Sequence, residues 1–267
     1  MPNINQSERA RLAWSALTSL AAQSRAVTYS ELGAVIGIHH RAVKFALDPI
    51  QTYCIEEKLP PLTILVAGAR GRPGRGFIAH DLDDLDAGLA EVWSYDWRSI
   101  PNPFDFAAEG RSFQSIAKQL VRNPEDSEEV YRLVKSRGIK QLLFRTALLS
   151  AYSEQCAFSG IEFYEVLEAC HIVPWRLSTD AQRMDVRNGL LLNSFHHRLF
   201  DHAHITITPD FTMMYADPSS VHRNHSRLER SLTVSLHGKQ MTVPRLVKHR
   251  PLRSNIEQHN ALVRWDQ

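Results

Sequence analysis

Apolar positions recur with helical spacing through residues 7–23, at Leu12, Ala13, Leu17, Leu20 and Ala21, so the pattern predicts an amphipathic helix with Ser7 as its N-cap. Residues 27–29 read as a short strand, and 30–37 as a short helix closed by Gly37. A further helix is predicted over 39–56, with Val43, Ala46, Leu47 and Ile50 inward and Pro49 marking a kink or break. Residues 61–67 and 77–79 read as strands joined by the turn 68–76, which is rich in Gly and Arg. An acidic helix is expected over 81–97, and the two prolines in Ile100-Pro-Asn-Pro-Phe104 mark the best linker.

Beyond the linker, residues 109–138 read as linker and helix, and 138–153 as a strongly amphipathic helix. Cys156-Ala-Phe-Ser-Gly160 reads as a turn. A strand beginning at Val166-Leu167 ends at His171, and Pro174 breaks regular pairing. A loop carrying Asp180, Arg183 and Asp185 leads to a returning strand over 188–192 and a helix from 194 to 202. Residues 204–208 and 211–215 alternate around Pro209-Asp210 and predict a hairpin; 231–236 and 241–243 around Gly238 predict another.

Chemistry concentrates in Leu167-Glu-Ala-Cys-His-Ile-Val-Pro-Trp175 and Arg187-Asn-Gly-Leu-Leu-Leu-Asn-Ser-Phe-His-His-Arg-Leu-Phe-Asp201. His171 ends an apolar run, and Asn188, His197 and Asp201 follow in order. The last two stand four apart, so on a helix they share one face and can bind one ion together. This order resembles the HNH nucleases, whose ββα-metal site cuts phosphodiester bonds. The resemblance implies that His171 is the general base, that His197 and Asp201 hold the metal, and that Asn188 fixes the loop that orients the base. Many such proteins carry Asp or His immediately before the base, where this chain has Cys170. A thiolate is a soft donor that suits Mg²⁺ poorly, so water or Glu168 is expected to complete the shell. His196 is a further candidate as a ligand, a phosphate contact or a packed residue, and Arg176, Arg183 and Arg198 are candidate phosphate clamps. One histidine and one carboxylate point to Mg²⁺ or Mn²⁺, with Zn²⁺ and Ni²⁺ as alternatives.

Residues 27–54 resemble the helix-turn-helix of winged-helix DNA-binding domains, including the alkyltransferase-like ones. That resemblance implies that His40, Arg41 and Lys44 would enter a major groove, and that Arg70, Arg72 and Arg75 would reach the backbone or minor groove. The plainer reading is a small α/β packing domain with a solvated arginine loop.

Composition narrows the field. Hydrophobic residues make up 43% of the 267 and charged residues 22%, an ordinary globular balance that excludes wholesale disorder. No apolar run approaches membrane-spanning length, and the start of the chain lacks the basic-then-apolar pattern of a signal peptide. Three cysteines without paired spacing argue against a disulfide framework and a zinc ribbon, so a reducing cytoplasm is the expected compartment. Net charge is only +2, but residues 222–253 hold eight Lys or Arg against the single acid Glu229, a basic stretch suited to phosphate.

The expectation is an α+β protein: a winged-helix-like domain over 1–100, linker and helix over 101–138, and an HNH nuclease domain with a basic extension over 139–267. Double-stranded DNA is the expected substrate, with a homodimer if both strands are cut and no membrane partner. The competing expectations are a DNA-binding regulator with an inactive nuclease fold, an RNA-directed nuclease and a zinc-stabilised structural module.

Overall fold

Asn5 caps the first helix, α1 (Gln6–Ala21), its side chain accepting from the Glu8 amide. Ser7, expected in that role, is buried and accepts from the Phe113 amide at 2.9 Å. The buried face is Ala10, Ala13, Trp14, Leu17 and Ala21, one step round from the face suggested by the leucines, and Leu12 is exposed. Trp14 decides this: its ring meets Tyr53, Trp97 and Phe104 edge-on at 5.5, 5.7 and 6.2 Å. The computed structural model describes residues 5–68, 71–221 and 224–265. Its backbone divides into a first unit, Met1–Ser115 with Leu133–Lys140, and a second, Ile116–Arg132 with Gln141–Gln267.

In the first unit, β1 (Val27–Thr28) pairs in parallel with β2 (Val66–Ala67). Thr28 and Glu31 form a capping box that starts α2 (Tyr29–Val35). Gly37 takes φ +70°, the left-handed conformation that ends such a helix at little cost to glycine. A 3₁₀ turn over His40–Ala42 leads into α3 (Val43–Glu56), which runs through Pro49 without ending and buries Val43, Ala46, Leu47 and Ile50.

The two strands expected at 61–67 and 77–79 do not form a hairpin. Leu62–Leu65 is a 3₁₀ helix with all four residues buried, preceded by two prolines that lack amide donors. Only Val66–Ala67 pairs, and residues 77–79 form no strand. The Gln51 side chain holds the Gly76 carbonyl and the Ile78 amide, both at 3.0 Å, so α3 takes backbone bonds that a partner strand would have made. The acidic segment forms α4 (Leu85–Ser94), capped by Asp84. The expected linker at 100–104 is packed instead: Phe104 is buried, and the Asn102 amide donates to the Arg11 carbonyl at 2.9 Å. Prolines stop regular structure there, but an aromatic side chain still anchors the segment.

The chain continues through α5 (Phe113–Arg122), α6 (Ser127–Leu133) and α7 (Arg137–Ala151). In the second unit, β3 (Leu167–His171) pairs antiparallel with β4 (Gly189–Asn193), setting His171 opposite Gly189. A Cβ on Gly189 would lie 2.6 Å from the Phe144 ring and 2.7 Å from Leu148, so glycine lets α7 pass directly over this corner. The expected loop between the strands contains α8 (Asp180–Met184), begun by a Thr179–Gln182 capping box. Asn193 then caps α9 (Ser194–Asp201) through the His196 amide. The expected hairpin after α9 forms from β5 (Ile205–Ile207) and β6 (Met213–Tyr215).

The second expected hairpin does not form. Residues 227–232 make α10 (Arg227–Leu232), because Ser226 and Glu229 form a capping box, and Val234–Leu236 continue as a 3₁₀ turn. Residues 240–241 instead lie beside the 211–212 turn, with the Met241 amide donating to Phe211. Helix α11 (Arg253–Val263) completes the unit. Among the described residues no helix is long and apolar enough to cross a membrane.

Candidate active site

Strand β3 ends on His171, and the packing around it fixes the ring. Phe144 stacks on it at 4.1 Å and 14°, and Trp175 meets it edge-on at 5.5 Å. Its Nε2 lies 3.0 Å from the Arg183 carbonyl, which can only accept, so Nε2 carries the proton. A neutral ring then presents Nδ1 as a lone pair able to take a proton from water. Burial pushes the imidazole down to about 4, against the opposing pull of that backbone bond, so the ring is neutral at physiological pH.

On the adjacent helix, His197 and Asp201 share one face as their spacing requires, with Nε2 and Oδ2 3.5 Å apart. Cys170 joins them: one ligand atom from each of Cys170, His197 and Asp201 lies within 4.8 Å of the others. Glu168 is on the other side of the imidazole, its Oε2 2.5 Å from His197 Nδ1. Of the two further residues considered for the shell, Cys170 stands beside the pair and Glu168 behind the imidazole. Residues two apart on β3 share a face, so both reach His197: the buried thiol of Cys170 faces the cluster and the Glu168 carboxylate takes the ring's far nitrogen. That bond fixes the tautomer, with the proton on Nδ1, and leaves His197 Nε2 as a lone pair on the Asp201 side, free to ligate an ion. Burial opposes ionisation of Glu168, but hydrogen bonds from His197 and Ser194 with the nearby positive charge hold its carboxyl below the usual range.

Asn188 is fully buried at the end of the 3₁₀ turn before β4. Its Oδ1 accepts from the Val173 amide at 2.9 Å, and its Nδ2 lies 3.1 Å from the Gln182 carbonyl and 3.3 Å from Ser178 Oγ. One side chain thus closes the loop that carries the Arg183 carbonyl to His171. Arg183 donates to the Trp175 carbonyl, Tyr131 hydroxyl and Asp180 carboxylate at 3.0, 3.0 and 2.8 Å, so its guanidinium braces this loop instead of standing ready for phosphate. His196 is also corrected as a ligand or phosphate contact. It is fully buried, with Nε2 2.9 Å from the Leu232 carbonyl and Nδ1 3.0 Å from the Asn193 amide group. Arg176 and Arg198 are exposed and keep open the phosphate role expected of them.

The sequence reading missed two supports. Phe144 was visible only as one apolar residue of an amphipathic helix. His259, on α11, stacks on Phe200 at 4.1 Å and 14° and lies 2.9 Å from the Ile172 carbonyl, tying the last helix to the residue after the base. Burial holds the His259 imidazole below its ordinary pKa, against the pull of Ile172 and of Asp201. The folded ring therefore stays neutral while the unfolded chain takes up a proton below about pH 6.5, so stability falls as pH drops through that value. His171 and His249 are depressed as well and act with the same sign. His259→Phe, which preserves the stack, is expected to flatten the fall by up to about 1.4 kcal/mol per pH unit. Melting curves of both proteins from pH 7.5 to 5 check this, and parallel slopes would contradict a buried neutral ring.

In the first unit, His40, Arg41, Lys44 and Arg75 line one cavity, and Arg72 is exposed on the same turn. Arg70, the remaining residue expected to contact DNA, lies outside the described residues.

Residues 156–208 match the family described as HNH endonuclease. The match spans Cys170, His171, Asn188, His197 and Asp201, and it lies within the second unit. No curated protein matches the chain.

Proposed function

We propose, from the HNH endonuclease domain in the C-terminal half as premise, that this chain is a divalent-metal-dependent endonuclease that hydrolyses phosphodiester bonds in DNA. The observation that carries the reading is the cluster of Cys170, His197 and Asp201 donors one residue from a histidine whose proton is fixed on Nε2. His171 Nδ1 takes the proton of the attacking water, and Asn188 holds the loop that sets the ring. An ion on His197 and Asp201 would neutralise charge gathering on the scissile phosphate and orient it. A restriction or phage-defence setting suits a DNA-contacting unit coupled to a nuclease unit. The test is plasmid DNA incubated with the purified chain across Mg²⁺, Mn²⁺, Zn²⁺ and Ni²⁺, with and without chelator. Metal-dependent nicking or linearisation supports the reading; an intact plasmid with every ion contradicts it.

The donor set fits more than one ion, and Cys170 decides between them. Burial pushes its thiol well above the ordinary range, and the Asp201 and Glu168 charges add to this. A protonated thiol leaves one imidazole, one carboxylate and water, a set suited to Mg²⁺ or Mn²⁺; a thiolate would favour Zn²⁺ or Ni²⁺. We therefore favour Mg²⁺ or Mn²⁺. Cys170→Ser is expected to keep Mn²⁺-supported cleavage within about tenfold of wild type, since the ion's principal donors remain. Complete loss with Mn²⁺, set against normal melting, would make the sulfur a required ligand.

For the first unit we propose DNA contact through the cations on α3 and the arginine turn, the finer winged-helix role expected from the order of helices. Arg41→Ala with Lys44→Ala and Arg75→Ala should reduce the slope of log affinity against log salt by roughly 0.9 for each phosphate that is no longer neutralised. An unaltered slope in the triple variant would contradict this role.

A further inference from the structure

The segment between β3 and β4 carries the carbonyl that fixes the base, and two asparagines hold that segment. Asn188 donates to the Gln182 carbonyl at 3.1 Å. The second is Asn255, in the first turn of α11 and only 3% exposed. Its orientation follows from its neighbours. Gln182 Oε1 accepts from the Thr179 amide at 3.0 Å, so Gln182 Nε2 is a donor, and the atom it meets at 3.0 Å is Asn255 Oδ1. Asn255 Nδ2 then donates to the Arg187 carbonyl at 3.3 Å, an oxygen that also accepts from the Leu252 amide at 3.0 Å. One buried side chain therefore spans α8 and the 3₁₀ turn Val186–Asn188. The other acceptor near Gln182 Nε2, Gln258 Oε1, is exposed and lies at 3.4 Å.

Helix α11 is itself anchored. His259 reaches the Ile172 carbonyl at 2.9 Å, while Asn260 donates to the Ile207 carbonyl at 3.0 Å and accepts from the Thr206 hydroxyl at 2.6 Å. The helix thus rests on the residue after the base and on β5, and Asn255 reaches from that support to the loop. Helix α8 has five residues, too few to hold its shape without tertiary bonds. Next to Gln182 on it stands Arg183, whose carbonyl takes the His171 Nε2 proton. A shift of about 1 Å in that carbonyl would free the ring to exchange tautomers, and misplacement of this size can cost about a hundredfold in rate.

We infer that Asn255 is a positioning residue for the base: by holding Gln182 and Arg187 it keeps the Arg183 carbonyl on His171 Nε2, and so keeps Nδ1 free of a proton. The inference rests on the endonuclease reading of this site and deepens it. It assigns part of the machinery to a helix outside residues 156–208, the stretch that matches the family.

The test uses the full chain carrying isotope-labelled histidine, with chelator present. Proton–nitrogen spectra distinguish the two neutral tautomers of each ring, and the His171 signal is the one missing from His171→Gln. Duplex affinity and, with Mn²⁺, single-turnover cleavage are measured on the same proteins. Wild-type His171 should show only the Nε2-protonated form. Asn255→Ala should show both forms and cut about 10- to 100-fold more slowly, with duplex affinity unchanged. Asn260→Ala is the control for helix docking. It breaks bonds from α11 that do not reach the loop, so it should cost stability while keeping one tautomer and a near wild-type rate. Gln182→Ala cuts the same link from a half-buried position where the Thr179 hydroxyl still caps α8, so it reads the link even if Asn255→Ala folds poorly. It should repeat the tautomer mixing, and the double variant should be little slower than either single one, because both remove one link. A single His171 tautomer in Asn255→Ala or in Gln182→Ala would overturn the inference, as would equal mixing in Asn260→Ala. A wild-type chain that cuts no DNA fails the endonuclease reading, while the spectra still decide whether Asn255 sets the ring.

Discussion

His171→Ala is expected to lower DNA cleavage by about 10²- to 10⁴-fold, the usual contribution of a general base, with duplex affinity nearly unchanged. The expectation follows from the ring's fixed tautomer: the Arg183 carbonyl holds the Nε2 proton, and Nδ1 is left to act on water. Truncation also removes the stack on Phe144, so melting should be measured beside activity. His171→Gln separates the two effects. It keeps a polar side chain of similar reach but is no base near neutral pH, so activity should stay low even where stability recovers. Single-turnover cleavage at saturating protein reads the chemical step directly. Wild-type rates in either variant would mean that another group takes the proton.

His197→Ala should cost about as much or more, roughly 10³-fold, because an ion on a scissile phosphate contributes several kcal/mol of transition-state stabilisation and each 1.4 kcal/mol is a factor of ten. Its partner on the far nitrogen should behave differently. Glu168→Gln leaves both ring nitrogens in place and weakens only the hold on the tautomer, so a loss of 10- to 100-fold in metal affinity is expected. Titrating Mn²⁺ into each variant while following cleavage separates them. Excess metal should rescue Glu168→Gln and leave His197→Ala slow. Rescue of both to the same rate would place the ion elsewhere.

The ββα arrangement was legible because its signals are local. An apolar run ending in histidine, a returning run and a polar helix each declare themselves within a few residues, and β3, β4 and α9 lie close to those bounds. Asn188 was legible from its place in the motif, although only coordinates show that it bonds to both Val173 and Gln182. The motif pointed to His197, but what holds its neighbour His196 was not legible. His196 and His197 are adjacent, and the burial of one depends on Leu232, thirty-six residues later.

Residues 231–236 misled for a different reason. Their alternation suits a strand, yet Ser226 and Glu229 form a helix-starting box just upstream, and that local signal prevailed. The strand expected at 77–79 failed because a side chain on α3, Gln51, took its backbone bonds. Periodicity cannot report a competitor twenty-five residues away. The cavity lined by Arg41, Lys44 and Arg75 was equally invisible: these cations were expected as groove contacts, but concavity is a property of packing.

The central claim is that one ion sits on His197 and Asp201 within reach of His171, and crystals grown with Mn²⁺ test it most directly. Anomalous scattering should show a peak about 2.0–2.3 Å from His197 Nε2 and an Asp201 carboxylate oxygen, the usual coordination distance of small divalent ions. A peak on other side chains, with none at this pair, would contradict the account.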